Sequence, residues 1–178
     1  KSQGNITTIE EATKKYSGQV VRLSLLSSHY KQPLDWNNEL LFEQSKTLDK
    51  WYSMYSNETI MNTPNCFKEL LDDMNTPLYI SKVHDLFNQA QNGDEDKKKE
   101  FNKACRLIGL FNENLEERSL YKKSKVRISE KKILDKIKDR ENAKKAGNYK
   151  LADHIRDDLN KEGIDIKDEK GKTTWDYK

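Results

Sequence analysis

Glycine and proline are scarce in this sequence, 7 and 3 in 178 residues. Few positions therefore force the chain out of a helix, and collagen-like or Pro/Gly-rich disordered classes are excluded. Cysteine is scarcer still. Cys66 and Cys105 lie far apart and neither belongs to a C-x-x-C pair, which gives no support to a disulfide framework or a cysteine zinc site. Cys105 falls on an apolar helical stripe, the setting of a buried structural thiol. No apolar run reaches the roughly 18 residues of a spanning helix and no signal peptide is visible, so the expectation is a soluble, cytoplasmic protein. The first residue is Lys1 rather than Met, and the sequence reads as part of something longer.

What is abundant is charge. Charged residues make up 35% of the chain and hydrophobic ones 34%, yet 3 Trp, 8 Tyr and 5 Phe are too many large apolar side chains for a disordered polymer. Amphipathic helices around modest cores are expected. The formal net charge of +3 hides an asymmetry. From Leu120 onward there are 18 Lys and Arg against 12 Asp and Glu, whereas the preceding residues carry 15 against 18. Between Leu120 and Lys145 the ratio is 11 to 4. Such a segment suits a polyanion, and a lysine-rich solvated helix is the plainer alternative.

The apolar spacing and the punctuation predict a mostly helical protein. Thr8 with Glu11 has the capping-box spacing for a short helix to about Tyr16. Val20, Val21, Leu23, Leu25 and Leu26 predict a second helix, ended before Pro33. Asp35 is placed to cap a third helix carrying Leu41, Leu48, Trp51, Tyr52 and Tyr55. Residues 57–64 read as loop and 66–73 as a short helix. Asn75 or Thr76 caps the next, with Pro77 in its first turn. Tyr79, Val83, Leu86 and Ala90 form its stripe, Asn92-Gly93 breaks it, and Phe101, Ala104, Cys105, Ile108 and Phe111 line the helix after that. Residues 112–128, polar and then basic, read as a linker. Ser129 caps a helix with Ile133, Leu134, Ile137 and Ala143. Gly147-Asn148 ends it and caps another, bearing Tyr149, Ala152, Ile155 and Leu159, which stops at Gly163. The period then switches to two. Ile164 and Ile166 alternate, and residues 173–177 pair back as a hairpin.

Several stretches, in order, resemble the cysteinyl-tRNA synthetases, class I aminoacyl-tRNA synthetases. Lys1-Ser2-Gln3-Gly4-Asn5 resembles the tail of the KMSKS signature. Leu25-Leu26-Ser27-Ser28-His29-Tyr30 with Pro33-Leu34-Asp35-Trp36 is similar to the family's LLSSHYR-x-PLDF. Leu71-Asp72-Asp73-Met74-Asn75-Thr76-Pro77 resembles DDDFNTP. Leu151-Ala152-Asp153-x-x-Arg156-Asp157-x-Leu159, then Gly163-Ile164 and Gly171-x-Thr173-Thr174-Trp175, resemble its closing pattern. The sequence departs at Gln3, at Leu71 in place of an aspartate, and at Asp176 where a basic residue is common.

The resemblance implies a mainly α fold: an antiparallel helical bundle of the DALR type followed by a small α/β anticodon-binding domain with a helix pair and a terminal β-hairpin. It divides the chain into the signature tail and stem-contact helices (1–32), the bundle (33–118), a basic linker (119–128) and the anticodon-binding domain (129–178). It implies the tRNA-binding half of an enzyme that activates cysteine with ATP and transfers it to tRNA(Cys). The HIGH signature and the zinc site that selects cysteine are not in this sequence. Alone, the chain is expected to be a catalytically inert monomer, with ATP, Mg and Zn belonging to the full enzyme. Lys1, as the second lysine of KMSKS, would neutralise the ATP triphosphate.

Unstacked anticodon bases are read by hydrogen bonds to their edges and by stacking on aromatic or guanidinium planes. By the resemblance, Asp153, Arg156 and Asp168 match base-reading positions. Lys144 stands where the family can have arginine and Tyr149 where it often has tryptophan. Asp153 and Arg156 share a helix face, so a surface ion pair between them is the bland alternative. Lys131, Lys132, Lys136, Lys138 and Lys145 would hold phosphates. His29 is expected to be a structural histidine at a helix end. Asp72, Asp73 and Asn75 are expected to cap and orient the helix begun by Pro77 rather than to bind metal. The rival readings are a stand-alone, non-catalytic RNA-binding or scaffold module derived from a synthetase, and a helical interaction module with no RNA role.

Overall fold

Polar side chains set where the helices begin. The computed structural model describes residues 8–169 and 172–177. Among them every α-helix longer than one turn starts at a Ser, Thr, Asn or Asp whose side chain accepts a backbone N–H of the first turn. Each such cap satisfies an amide that the helix itself leaves without a partner. In order they are α1 (Ile9–Lys15), α2 (Gly18–Leu26), α3 (Asn38–Tyr52), a 3-10 turn (Asn65–Phe67) running into α4 (Lys68–Leu71), α5 (Thr76–Gln91), α6 (Glu95–Leu107), α7 (Leu115–Lys125), α8 (Glu130–Lys145) and α9 (Tyr149–Lys161). Strands β1 (Ile164–Glu169) and β2 (Lys172–Tyr177) close the chain as an antiparallel pair. The fold is mainly helical with one small two-stranded sheet among the described residues. The chain divides between Asn112 and Glu113 into two compact units.

The first unit is a helical bundle. Its centre is aromatic: Trp51 meets Phe101 edge-on with centroids 5.7 Å apart, and Phe101 meets Phe111 at the same separation. Leu23, Leu48, Tyr79, Val83, Ala104 and Cys105 pack into the same buried cluster. Phe111 reaches it through a left-handed backbone (φ 56°), and its N–H donates to Gln19 Oε1 at 2.7 Å. Buried Asn102 uses its whole amide. Its Oδ1 accepts from Ser56 N (2.8 Å) and its Nδ2 donates to the carbonyls of Met54 and Lys98 (both 2.9 Å), tying the loop after α3 to α6.

Two motifs far apart in sequence meet in this unit. The turn after α2 and the turn before α5 are held together by Asp73: its carboxylate accepts from Tyr30 Oη (2.7 Å) and pairs with Lys31, while its carbonyl lies 3.0 Å from His29 Nε2. The Asp73 carboxyl is held below its ordinary value by the hydrogen bond from Lys31 and then by that from Tyr30. Asp73 and Met74 both adopt positive φ, 50° and 53°, where a Cβ normally crowds the following carbonyl. Asn75 caps α5 through Leu78 N at 3.2 Å, and Pro77 lies in its first turn. His29 is thus a structural histidine and Asn75 a cap.

Some boundaries differ from those the sequence predicts. Asn37, not Asp35, caps α3, because its Oδ1 reaches Leu40 N at 2.8 Å while Asp35 only accepts from the Asn37 amide. Residues 115–125 form a helix where the polar composition reads as a linker. A capping box of Asn114 with Glu117 starts it and Lys122, Lys123 and Lys125 sit at its C-terminal turn, where cations favour the helix dipole. Leu25 and Leu134 lie on helical stripes but are about half exposed.

The second unit packs α8 and α9 on the hairpin. Ile133, Leu159, Ile164 and Ile166 are fully buried, with Ile137 and Tyr177 at the edge of the cluster. Gly147 (φ 72°) turns the chain between α8 and α9. Gly163 (φ 85°) turns it from α9 into β1, and a Cβ there would meet Val126 Cγ2 at 3.2 Å.

The Asn102 network predicts that Asn102→Ala strands the Ser56 amide and the Met54 carbonyl and destabilises the first unit by about 2 kcal/mol. Amide hydrogen exchange should show faster exchange across α5 and α6, with α8 and α9 unaffected. Equal loss of protection in both units would contradict this.

Candidate nucleic-acid interface

The second unit carries the candidate interface. Its organising contact is an ion pair between α8 and β1. Arg140 falls on the buried stripe of α8, at the i+7 and i+3 positions from Ile133 and Ile137, and is 2% exposed. Its guanidinium donates as a fork, Nη1 to Asp168 Oδ1 at 3.0 Å and Nη2 to Asp168 Oδ2 at 2.8 Å. Lys144, one turn on, donates to Oδ2 at 2.7 Å, and Thr173 Oγ1, the cross-strand neighbour of Asp168, donates to Oδ1 at 2.9 Å. These donors, Arg140 first and Lys144 second, hold the Asp168 carboxyl far below the usual carboxylate range. Arg140 is pushed up in turn, chiefly by the Asp168 hydrogen bond, and the Asp153 charge adds to the same effect.

The second part of the site is a stripe on α9. Tyr149, Asp153 and Arg156 stand at i, i+4 and i+7 and share one face, beside the buried Ala152 and Leu159 and the half-buried Ile155. Tyr149 is 66% exposed, and Asp153 and Arg156 are also exposed. Asp153 and Arg156 form no ion pair with each other; among the described residues neither makes any ion pair. The surface-pair alternative for these two is therefore absent. The α9 stripe and the Asp168 cluster belong to the same compact unit, in which Ile133 and Ile137 of α8, Leu159 of α9 and Ile164 and Ile166 of β1 share one core.

The five phosphate candidates on α8 do not form one row. Lys131, Lys138 and Lys145 are spaced by seven and share the solvent face, whereas Lys132 and Lys136 are spaced by four and lie on its flank. Lys136 is half-buried and the other four are exposed. None of the five is engaged in an ion pair among the described residues. Lys1, with the rest of the signature tail, lies outside the described residues, as does Gly171 of the closing pattern.

Arg140 is the residue that sequence reasoning missed. Its signal was present, since an arginine on an apolar stripe must find an anion when buried. For metals, no three His, Cys, Asp or Glu side chains converge on a possible ion position among the described residues. Cys66 and Cys105 are buried thiols whose pKa values burial pushes up, unlike the thiolates that bind zinc.

No family model matches the chain. Curated relatives do, along its whole length. A protein of Pelagibacter ubique is 43% identical over 180 residues, covering 100% of this chain and 40% of the relative. One of Rickettsia canadensis is 37% identical and one of Azorhizobium caulinodans 36%, covering 98% and 99% of this chain and 39% and 40% of theirs. By name all three join an amino acid to tRNA: they are aminoacyl-tRNA ligases. The chain belongs to the cysteine–tRNA ligase family and corresponds to the C-terminal part of its members. It spans about 40% of the length of these relatives.

The Asp168 cluster predicts an acid response. A carboxyl whose folded pKa is depressed contributes stability above its unfolded value, about 3.9, and loses it as pH falls through the folded one. The second unit should therefore lose stability below about pH 4, and Asp168→Asn should flatten that loss. An unchanged acid profile by circular dichroism melts of the variant would contradict the assignment.

Proposed function

We propose that this chain is the tRNA-binding part of a cysteine–tRNA ligase, and that its second unit inspects the anticodon. The observation that carries the proposal is the α9 stripe. An aromatic ring, a carboxylate and a guanidinium are displayed together at Tyr149, Asp153 and Arg156, and neither charged group is spent on an internal ion pair among the described residues. That is the equipment for an unstacked base: a face to stack on, an acceptor and donors for its edge. Asp168 and Lys144 belong to the same site but meet each other in the free protein. The α8 lysines supply a phosphate-attracting surface that positions RNA without reading sequence.

Activation of cysteine and its transfer to tRNA(Cys) belong, in this proposal, to the whole enzyme, which uses ATP with Mg and Zn outside this chain. The ATP contact of Lys1 rests on the KMSKS resemblance alone. The stand-alone RNA-binding or scaffold reading gains no support from relatives that all extend well beyond the matched part.

Asp153→Ala in the full enzyme should lower aminoacylation of tRNA(Cys) by about tenfold or more, the cost of one lost base contact, while leaving cysteine-dependent ATP–pyrophosphate exchange intact. Equal loss in both assays would refute an anticodon role. Replacing Lys132 and Lys136 with Ala should weaken binding to all tRNAs alike and reduce the slope of log affinity against log salt by about 2. A loss confined to the cognate tRNA would contradict the phosphate assignment.

A further inference from the structure

Asp168 has no acceptor position left. An ionised carboxylate offers about four lone-pair sites, and here four donors approach: both terminal nitrogens of Arg140, Thr173 Oγ1 and Lys144 Nζ. A base edge can be read by this carboxylate only if one donor leaves. The four are unequal. The Arg140 side chain is 3% exposed and its Nε, buried, has no hydrogen-bond partner, so releasing Asp168 would strand a desolvated cation. Thr173 is fixed opposite Asp168 in the strand register. The Lys144 side chain is 38% exposed, at the last turn of α8, on a flexible stem that can carry its ammonium into water.

Resting on the anticodon reading above, we propose that Lys144 is a displaceable occupant of Asp168, exchanged for an amino or imino N–H of an unstacked base, while Arg140 acts as the positioning residue that keeps the carboxylate aimed. The exchange moves no covalent bond. The base donor takes the Oδ2 position, and the Lys144 ammonium turns to a neighbouring phosphate, where its charge is again compensated. The buried guanidinium stays paired throughout. Occupation by Lys144 fills the fourth acceptor site of the carboxylate in the free protein, beside the three donors of Arg140 and Thr173 that stay in place.

The test is tRNA binding by the 178-residue chain, comparing a cognate cysteine tRNA transcript with the same transcript altered at single anticodon positions. Lys144→Gln should weaken binding to both transcripts by a similar factor and leave their ratio within about twofold, because it removes a phosphate contact but not the reader. Arg140→Lys, which keeps the charge and loses the fork, should lower the ratio by about tenfold with affinity for the altered transcript unchanged. A collapse of the ratio in Lys144→Gln to the level of Asp168→Asn would overturn the exchange. An undiminished ratio in Arg140→Lys would overturn the positioning role. Should Arg140→Lys fail to fold, the exposed Lys144 variant and its ratio still decide the exchange. If the unmodified chain shows no preference between the transcripts, the anticodon reading itself fails and the inference falls with it.

Discussion

A guanidinium withdrawn from water must be matched by an anion, and in the second unit β1 brings that anion to α8. Arg140 occupies a position on its helix that sequence periodicity would give to an apolar residue, between the Ile133–Ile137 stripe and Ala143. It can remain there because Asp168 meets both ends of its fork. The pairing fixes the hairpin against the helix with an angular precision that a cluster of isoleucines does not supply, since bidentate geometry is directional and hydrophobic contact is not. The orientation of the Asp168 carboxylate follows from it, and Thr173, opposite Asp168 in the strand register, adds a further donor. Removing either partner leaves a buried charge alone, which is far costlier than replacing both.

The first unit uses a related device with the opposite exposure. Asp73 draws together Tyr30, Lys31 and the His29 ring, but this clip lies at the surface and contributes little energy by charge alone. Its effect is geometric. Two consecutive left-handed residues, Asp73 and Met74, are held between α4 and the Asn75 cap, and the clip fixes that turn against the end of α2. The two units thus solve the same problem, fixing a turn to a helix, with a surface network in one case and a buried fork in the other.

Much of this was legible in the sequence. The glycines at 147 and 163, the caps Thr8, Ser129 and Asn148, and the switch from helical to alternating period at Ile164 each leave a local chemical mark, and the structure follows them. The features that escaped are those decided by distance in space. Asn37 wins over Asp35 because of reach to a backbone N–H, not because of residue type. Helix α7 has few apolar residues, so its periodicity is faint and its caps carry the information. Asp153 and Arg156 were recognisable as sharing a face, but only the coordinates show that they do not pair. Asp168 was recognisable as a candidate acceptor, and its saturation by Arg140, Lys144 and Thr173 depends on contacts 28, 24 and 5 residues away.

The central claim is that the second unit, through the exposed face of α9 and the neighbouring Asp168 cluster, meets an unstacked part of tRNA. The most direct measurement is nitrogen-15 NMR mapping of the labelled 178-residue chain during titration with cysteine tRNA. The account predicts salt-sensitive shifts centred on residues 144–156 and on Asp168 and Thr173, accompanied by a change at the Lys144 ammonium. Shifts confined to residues before Glu113, or none at all at low salt, would contradict it.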